Sequence, residues 1–248
     1  MVAGLALAGW ALQGLQVPLW ARVQSRQPAL RLDSPWASAG QGVLLGVMGG
    51  FRSAVADILW LRMAGAWEAH DAPATERWLE LVTAIDPAPL YFWINGARII
   101  AYDLPEWPQQ EAGGRGPATA TLRSHRIRAA GLRARQWLEE ARQFHPASAA
   151  LWIEQANLEL NRLGDLRAAA ASYRRAWEQP QAPYYAARLH GELLRRLGEP
   201  AAALAWLVRL HPHLPATDEA AGAALVLSRI RVLEAQLGVP VEQVYVPR

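Results

Sequence analysis

The chain has 248 residues and 27.3 kDa, enough for one large domain or two small ones. Its net charge is +3, and its charged share of 19% lies below the roughly 25% of an average soluble domain, so the balance leans toward membrane contact. All 25 basic residues are arginine and cysteine is absent, which excludes Schiff bases, P-loop lysines, Ser-Lys dyads, thiol nucleophiles, disulfides and thiolate zinc sites.

The first 21 residues, MVAGLALAGWALQGLQVPLWA, carry no charged side chain. A run of about 20 apolar residues spans a bilayer as a helix, so residues 1–34 are expected to form an anchor and its basic flank, the alternative being a buried or amphipathic helix of a soluble protein. Trp20 sits where an interfacial aromatic belongs, and Arg22, Arg26 and Arg31 follow. The positive-inside rule then favours the cytoplasm for the rest of the protein, the opposite side of the membrane being the alternative. Residues 35–51 are glycine-rich and read as a surface-lying or packed connector.

Helical spacing begins at Arg52. Ala56, Trp60, Met63 and Trp67 share one face of a helix running to Ala69. Asp71 is placed to cap the next helix, with Pro73 in its first turn. Trp78, Leu81, Val82 and Ile85 form that helix's buried stripe. An insertion at about 104–128 opens with LPEWPQQEAGGRGP, which has the composition of a loop. Near the end, Thr217 is expected to cap a closing helix Thr217–Leu237, with Asp218 and Glu219 at its positive end. The tail 239–248 contains two prolines and reads as extended.

Four prolines punctuate the helical pattern: Pro87, Pro146, Pro180 and Pro215, with Gly164 and Gly198 between paired helices. Their phase repeats. Trp93 and Trp152 lie six residues after a proline, and Ala97 and Ala156 ten after it. Ala134, Ala168 and Ala203 stand twelve residues before one; the repeat ending at Pro180 fits better when slipped by one residue, aligning Tyr173 and Ala176.

A spacing of about 34 residues with small residues at these positions resembles the tetratricopeptide repeat family. The resemblance runs from Phe51 to the end of the closing helix, with the insertion lengthening one repeat. It implies an all-α solenoid of helix pairs that binds peptides or proteins on its concave face. Three segments, GGFRSAVADILWLR (Gly49 to Arg62), TAIDP (Thr83 to Pro87) and FWINGARIIAYDLP (Phe92 to Pro105), resemble a group of bacterial membrane-anchored repeat proteins, which implies a bacterial inner-membrane setting. In that fold the first helix of each pair lines the groove. Its inward positions fall on Tyr91, Ile94, Arg98, Ile153, Asn157 and Leu160, then Tyr185, Arg188, Glu192 and Arg195. Arginine grips a carboxylate with two parallel hydrogen bonds, so an acidic or C-terminal segment of a partner is the expected ligand. The alternative is that these side chains pair with one another. Removing Asn157 and Arg188 together is expected to abolish binding and leave stability nearly intact.

A second feature is a run of arginines with no acid between Glu111 and Glu139: Arg115, Arg123, Arg126, Arg128, Arg133 and Arg135. It reads as a solvated face partly neutralised by Glu68, Asp71, Glu76, Glu80 and Asp86, or as a contact for an acidic protein or anionic lipid. Nucleic acid is a weaker reading, because stacking aromatics are missing from the run. Trp36 and Trp107 lie in loop-like sequence and are freer than the other tryptophans to meet a partner. The six histidines form no metal motif, and no catalytic constellation stands out, so neither cofactor nor metal nor enzymatic activity is expected. The functional expectation is a scaffold for partner proteins. A fixed structural subunit of a larger envelope complex is the alternative, and a soluble nucleic-acid adaptor the weakest reading.

Overall fold

A computed structural model describes residues 50–107 and 117–247. Among them the regular structure is entirely helical, with no strand. The expected anchor, nearly all of the connector, Trp36 and Arg115 lie outside the described residues. Among the described residues no helix is long and apolar enough to cross a membrane.

The chain divides into two compact units between Phe92 and Trp93. In the first, α1 (Arg52–Glu68) packs on α2 (Ala72–Ile85). Asp71 caps α2 by accepting from the Ala74 amide at 3.0 Å, and Pro73 sits in the first turn, where its missing N–H costs nothing. The core joins Ala56 and Leu59 to Leu81, Val82, Ile85 and Phe92. The expected α1 stripe is thus rotated: Leu59 is buried with Ala56 and Met63, while Trp67 is exposed. Asp86 ties the two helices together. The Ser53 hydroxyl donates to its carboxylate at 2.7 Å, and Arg52 lies 3.7 Å away. Asp86 is buried and committed here, which corrects the expectation that it helps neutralise the arginine run.

The helix α3 (Leu90–Arg98) carries the division between the units and runs on into a π turn, Ile99–Asp103. The second unit continues with α4 (Pro117–Phe144), α5 (Ala149–Asn161), α6 (Leu166–Trp177), α7 (Tyr184–Arg196), α8 (Pro200–Leu210) and α9 (Ala223–Leu237). From α4 to α9 each helix packs on a sequence neighbour. Pro87, Pro146, Pro180 and Pro215 all fall in connections between helices. Gly164 and Gly198 make the turns after α5 and α7 with φ of +66° and +78°, a region that L side chains enter at a cost. Ser148 and Asp165 cap α5 and α6, accepting from Leu151 and Ala168.

Small residues sit where the helices approach closely: Ala97, Ala134, Ala156, Ala176 and Ala203 are fully buried. In α6, Ala169, Ala170 and Ala176 are buried and Ala168 is half-buried. Leu193 on α7 joins α5 and α6 in one cluster; truncating it to alanine would cost about 2–5 kcal/mol.

The later part of the insertion is helical: α4 begins at Pro117, so the arginines from Arg123 onward lie on a 28-residue helix. Two expectations are corrected. Trp107 is only 5% exposed and belongs to the core, not to a partner surface. The closing helix starts at Ala223, not Thr217. Asp218 caps a short 3-10 turn, Glu219–Ala221, and Gly222 then turns the backbone at φ +65° before α9 begins.

Candidate partner-binding cleft

One face of α7 presents Tyr185, Arg188, Leu189, Glu192 and Arg195 at i, i+3, i+4, i+7 and i+10, a single helical stripe. Opposite stands α9, whose Leu225, Arg229 and Val232 share its outer face. Between them is a cleft of about 290 Å³. Its floor is apolar, built from Leu207, Val226 and Leu233, while Arg188, Glu192, Arg195 and Arg229 form a charged rim. Leu225 and Val232 are 52% and 56% exposed, so two aliphatic side chains face water at the cleft wall.

The rim arginines differ. Arg195 donates twice to Glu192, at 3.0 and 2.6 Å, and these bonds hold the Glu192 carboxyl below its ordinary pKa. Arg188 donates to the carbonyls of Ala220 and Ala221 at 2.7 and 2.6 Å. It fastens the 3-10 turn ahead of α9 to α7. Arg229 is exposed and adds a smaller, through-space contribution to the lowering at Glu192, but it makes no hydrogen bond or close ion pair among the described residues. The rim therefore carries one paired arginine, one structural arginine and one whose donors remain open. An anionic group entering the cleft would meet Arg229.

Arg98 and Asn157 lie at a different, polar depression with Tyr102, Asp103, Glu154 and Asn161, formed by α3, the π turn and α5. Here the polar groups are already engaged. Arg98 grips Glu154, and the Tyr173 hydroxyl donates to Asn157 Oδ1 at 2.7 Å. Burial pushes the Tyr173 phenol up to about 12, so this hydroxyl keeps its proton. Arg162 stacks over the Tyr102 ring at 4.2 Å. Burial also raises the Tyr102 pKa. Tyr91 is exposed on α3 in the first unit and packs edge-on against Trp60.

The expected groove thus resolves into Tyr185, Arg188, Glu192 and Arg195 together at one cleft and Arg98 with Asn157 at another site. Asn157 and Arg188 are not free surface groups: one accepts from Tyr173 and the other holds a turn. Their double replacement is expected to disturb the fold, contrary to the reading from sequence. Leu225, Arg229 and Val232 escape sequence reasoning because α9, lacking a partner helix, reads only as a closing cap. The signal is present in its i, i+4, i+7 spacing of aliphatic and basic residues.

The arginine run is partly compensated from within its own unit. Glu106 accepts from Arg123 at 2.9 Å and lies 3.6 Å from Arg162, and Arg135 is 3.9 Å from Glu139. Among the described residues no group of three or more histidine or carboxylate side chains is arranged to hold a metal ion.

In comparisons with known proteins, no family model, no curated protein and no solved structure matches this sequence.

Proposed function

We propose that this protein is a non-enzymatic scaffold of the tetratricopeptide-repeat type, tethered to a bacterial inner membrane by residues 1–34. The cleft between α7 and α9 receives a segment of a partner protein. The observation that carries this reading is the cleft itself: an apolar floor beside Arg229, an arginine with no hydrogen-bond acceptor among the described residues. That combination suits an aliphatic side chain next to a carboxylate, as at an acidic stretch or at the C-terminus of a partner polypeptide. Helices that pack on their sequence neighbours, turned at prolines and positive-φ glycines, support the repeat assignment. No residue is assigned a catalytic role.

A photo-reactive amino acid in place of Leu225, in the full-length protein in its native membrane, tests the reading. The expected result is one protein species cross-linked in near-stoichiometric yield and lost when Arg229 is also replaced by alanine. Cross-linking that ignores Arg229, or captures many proteins equally, counts against the cleft.

A further inference from the structure

The first half of α4 is little covered: every residue from Ala120 to His125 is exposed. From Pro117 to Leu138 the helix holds arginine at 123, 126, 128, 133 and 135 and no acidic residue. Leu122, His125, Ala129 and Leu132 follow one another at i, i+3, i+7 and i+10. They form one stripe about 15 Å long at the helical rise of about 1.5 Å per residue, with His125 as its polar member. All four are exposed, Leu122 to 64% and Leu132 to 38%. At 3.6 residues per turn, Arg126 and Arg133 border the stripe on one side and Arg128 and Arg135 on the other. Arg128 makes no hydrogen bond or ion pair among the described residues, and Arg126 Nε has no acceptor there. Arg123, held by Glu106, lies off the stripe.

We infer that this face of α4 lies on an anionic phospholipid surface, its leucines at the acyl boundary and its bordering arginines at the headgroup phosphates. Three features select this partner. Basic residues on both borders of an aliphatic stripe are the pattern of a helix lying in the plane of a membrane interface, where arginine lays its stem on apolar surface and keeps its guanidinium at the phosphates. A face without carboxylates is attracted by an anionic bilayer and meets no repulsion from it. The outer face of a single helix is convex, which fits a flat bilayer, whereas a peptide segment is held in a concave site. Nucleic acid is disfavoured because the exposed face offers no aromatic side chain for a base to stack on. None of these residues lines the cleft between α7 and α9, so the contact is additional to partner binding there.

The sequence lacks cysteine, so one introduced thiol carries one environment-sensitive fluorophore. Full-length protein labelled at Leu122→Cys is titrated with vesicles of phosphatidylcholine and phosphatidylglycerol in equal parts, and with vesicles of phosphatidylcholine alone. Ala120→Cys, exposed on the opposite side of the helix, is the reference. The label reports on α4 itself, so attachment of another segment to the vesicle does not produce the signal. The expected result is a blue shift, quenched by a lipid-borne nitroxide, for the Leu122 label on the anionic vesicles and none for the Ala120 label. Arg126→Gln with Arg128→Gln should weaken the titration about fivefold per arginine, which corresponds to about 1 kcal/mol for each basic residue at an anionic surface. Added salt should remove most of that difference. No response to either vesicle, an equal response to both, or a response at Ala120 as large as at Leu122 overturns the inference. A response to polyglutamate with none to vesicles assigns the face to an acidic protein and overturns it too. If Leu122→Cys loses the parent's helical signal, the label moves to Ala129→Cys in the same stripe under the same criteria. If the glutamine pair loses it, Arg128→Gln alone carries the charge test.

Discussion

Arg98 binds Glu154 through two parallel hydrogen bonds, Nε to Oε1 at 3.0 Å and Nη2 to Oε2 at 2.7 Å. The Glu154 side chain is only 5% exposed, whereas the Arg98 side chain is 54% exposed. The hydrogen bonds to Glu154 hold the Arg98 guanidinium above its ordinary pKa. An arginine expected on a ligand-facing wall therefore serves α5 by compensating a buried carboxylate. Replacing Arg98 by alanine leaves that carboxylate unpaired, at a cost of about 1–3 kcal/mol, toward the lower end because water reaches the arginine. Arg98→Lys restores only part of the loss, since lysine lacks the two-pronged geometry. Urea denaturation of the three proteins checks the order, and equal midpoints would contradict it.

Gly164 and Gly198 are placed to test the turn chemistry. Each takes a positive φ with no atom near the position a Cβ would occupy, so the strain of alanine there is in the backbone alone. Alanine at either position is expected to lower stability by about 1–2 kcal/mol, with no change in helical content. Because the two turns are separate, the double variant should lose about the sum. Thermal unfolding of the two singles and the double measures this.

His190 supplies a pH dependence. It is buried, its Nδ1 lies 2.7 Å from the Ala170 carbonyl, and its ring meets Trp206 edge-on. Burial lowers its pKa, with the carbonyl contact opposing and Arg174 adding slightly to the shift. The unfolded protein then takes up a proton near the ordinary value of about 6.5 while the folded one does not, so stability falls as pH drops below that value and is unaffected well above it. Thermal unfolding at about pH 7.5 and about pH 5.5, one unit to either side of that value, should show a larger loss for the parent than for His190→Gln. Equal losses would place the acid sensitivity on other groups.

Trp107 separates the loop reading from the structure. Truncation to alanine is expected to cost about 3–5 kcal/mol, as for a core tryptophan, where a partner-facing side chain would cost little. Calorimetry on Trp107→Ala decides between the two.

What is legible in the sequence is local. The cap at Asp71, the breaks at the four prolines and the turns at Gly164 and Gly198 depend on backbone chemistry within a few residues. The all-α class and the small buried positions Ala97, Ala156 and Ala203 follow from periodicity. What sequence reasoning misses depends on distant partners. Nothing beside Trp107 announces its burial, and nothing near Arg188 in sequence points to the carbonyls of Ala220 and Ala221, 32 and 33 residues away. Pro117 closes a segment of loop composition, yet it stands at the first position of α4, where proline is well tolerated. Gly222 displaces the start of α9 from Thr217 because its left-handed backbone interrupts the helix. Four of the groove residues read from sequence do converge on the cleft, but the side chains best placed to meet a ligand, Leu225 and Arg229, come from the helix expected to be only a cap.

The cleft between α7 and α9 is tested most directly by titrating the partner segment recovered by cross-linking against the parent and against Leu225→Ala combined with Arg229→Ala, by fluorescence anisotropy. Both side chains are exposed, so the double variant should unfold within about 0.5–1 kcal/mol of the parent. Binding should weaken at least about tenfold, a loss of about 1.4 kcal/mol, and the part due to Arg229 should shrink as salt is raised. An affinity equal to the parent's, in a variant that folds as the parent does, would contradict the cleft as the partner site.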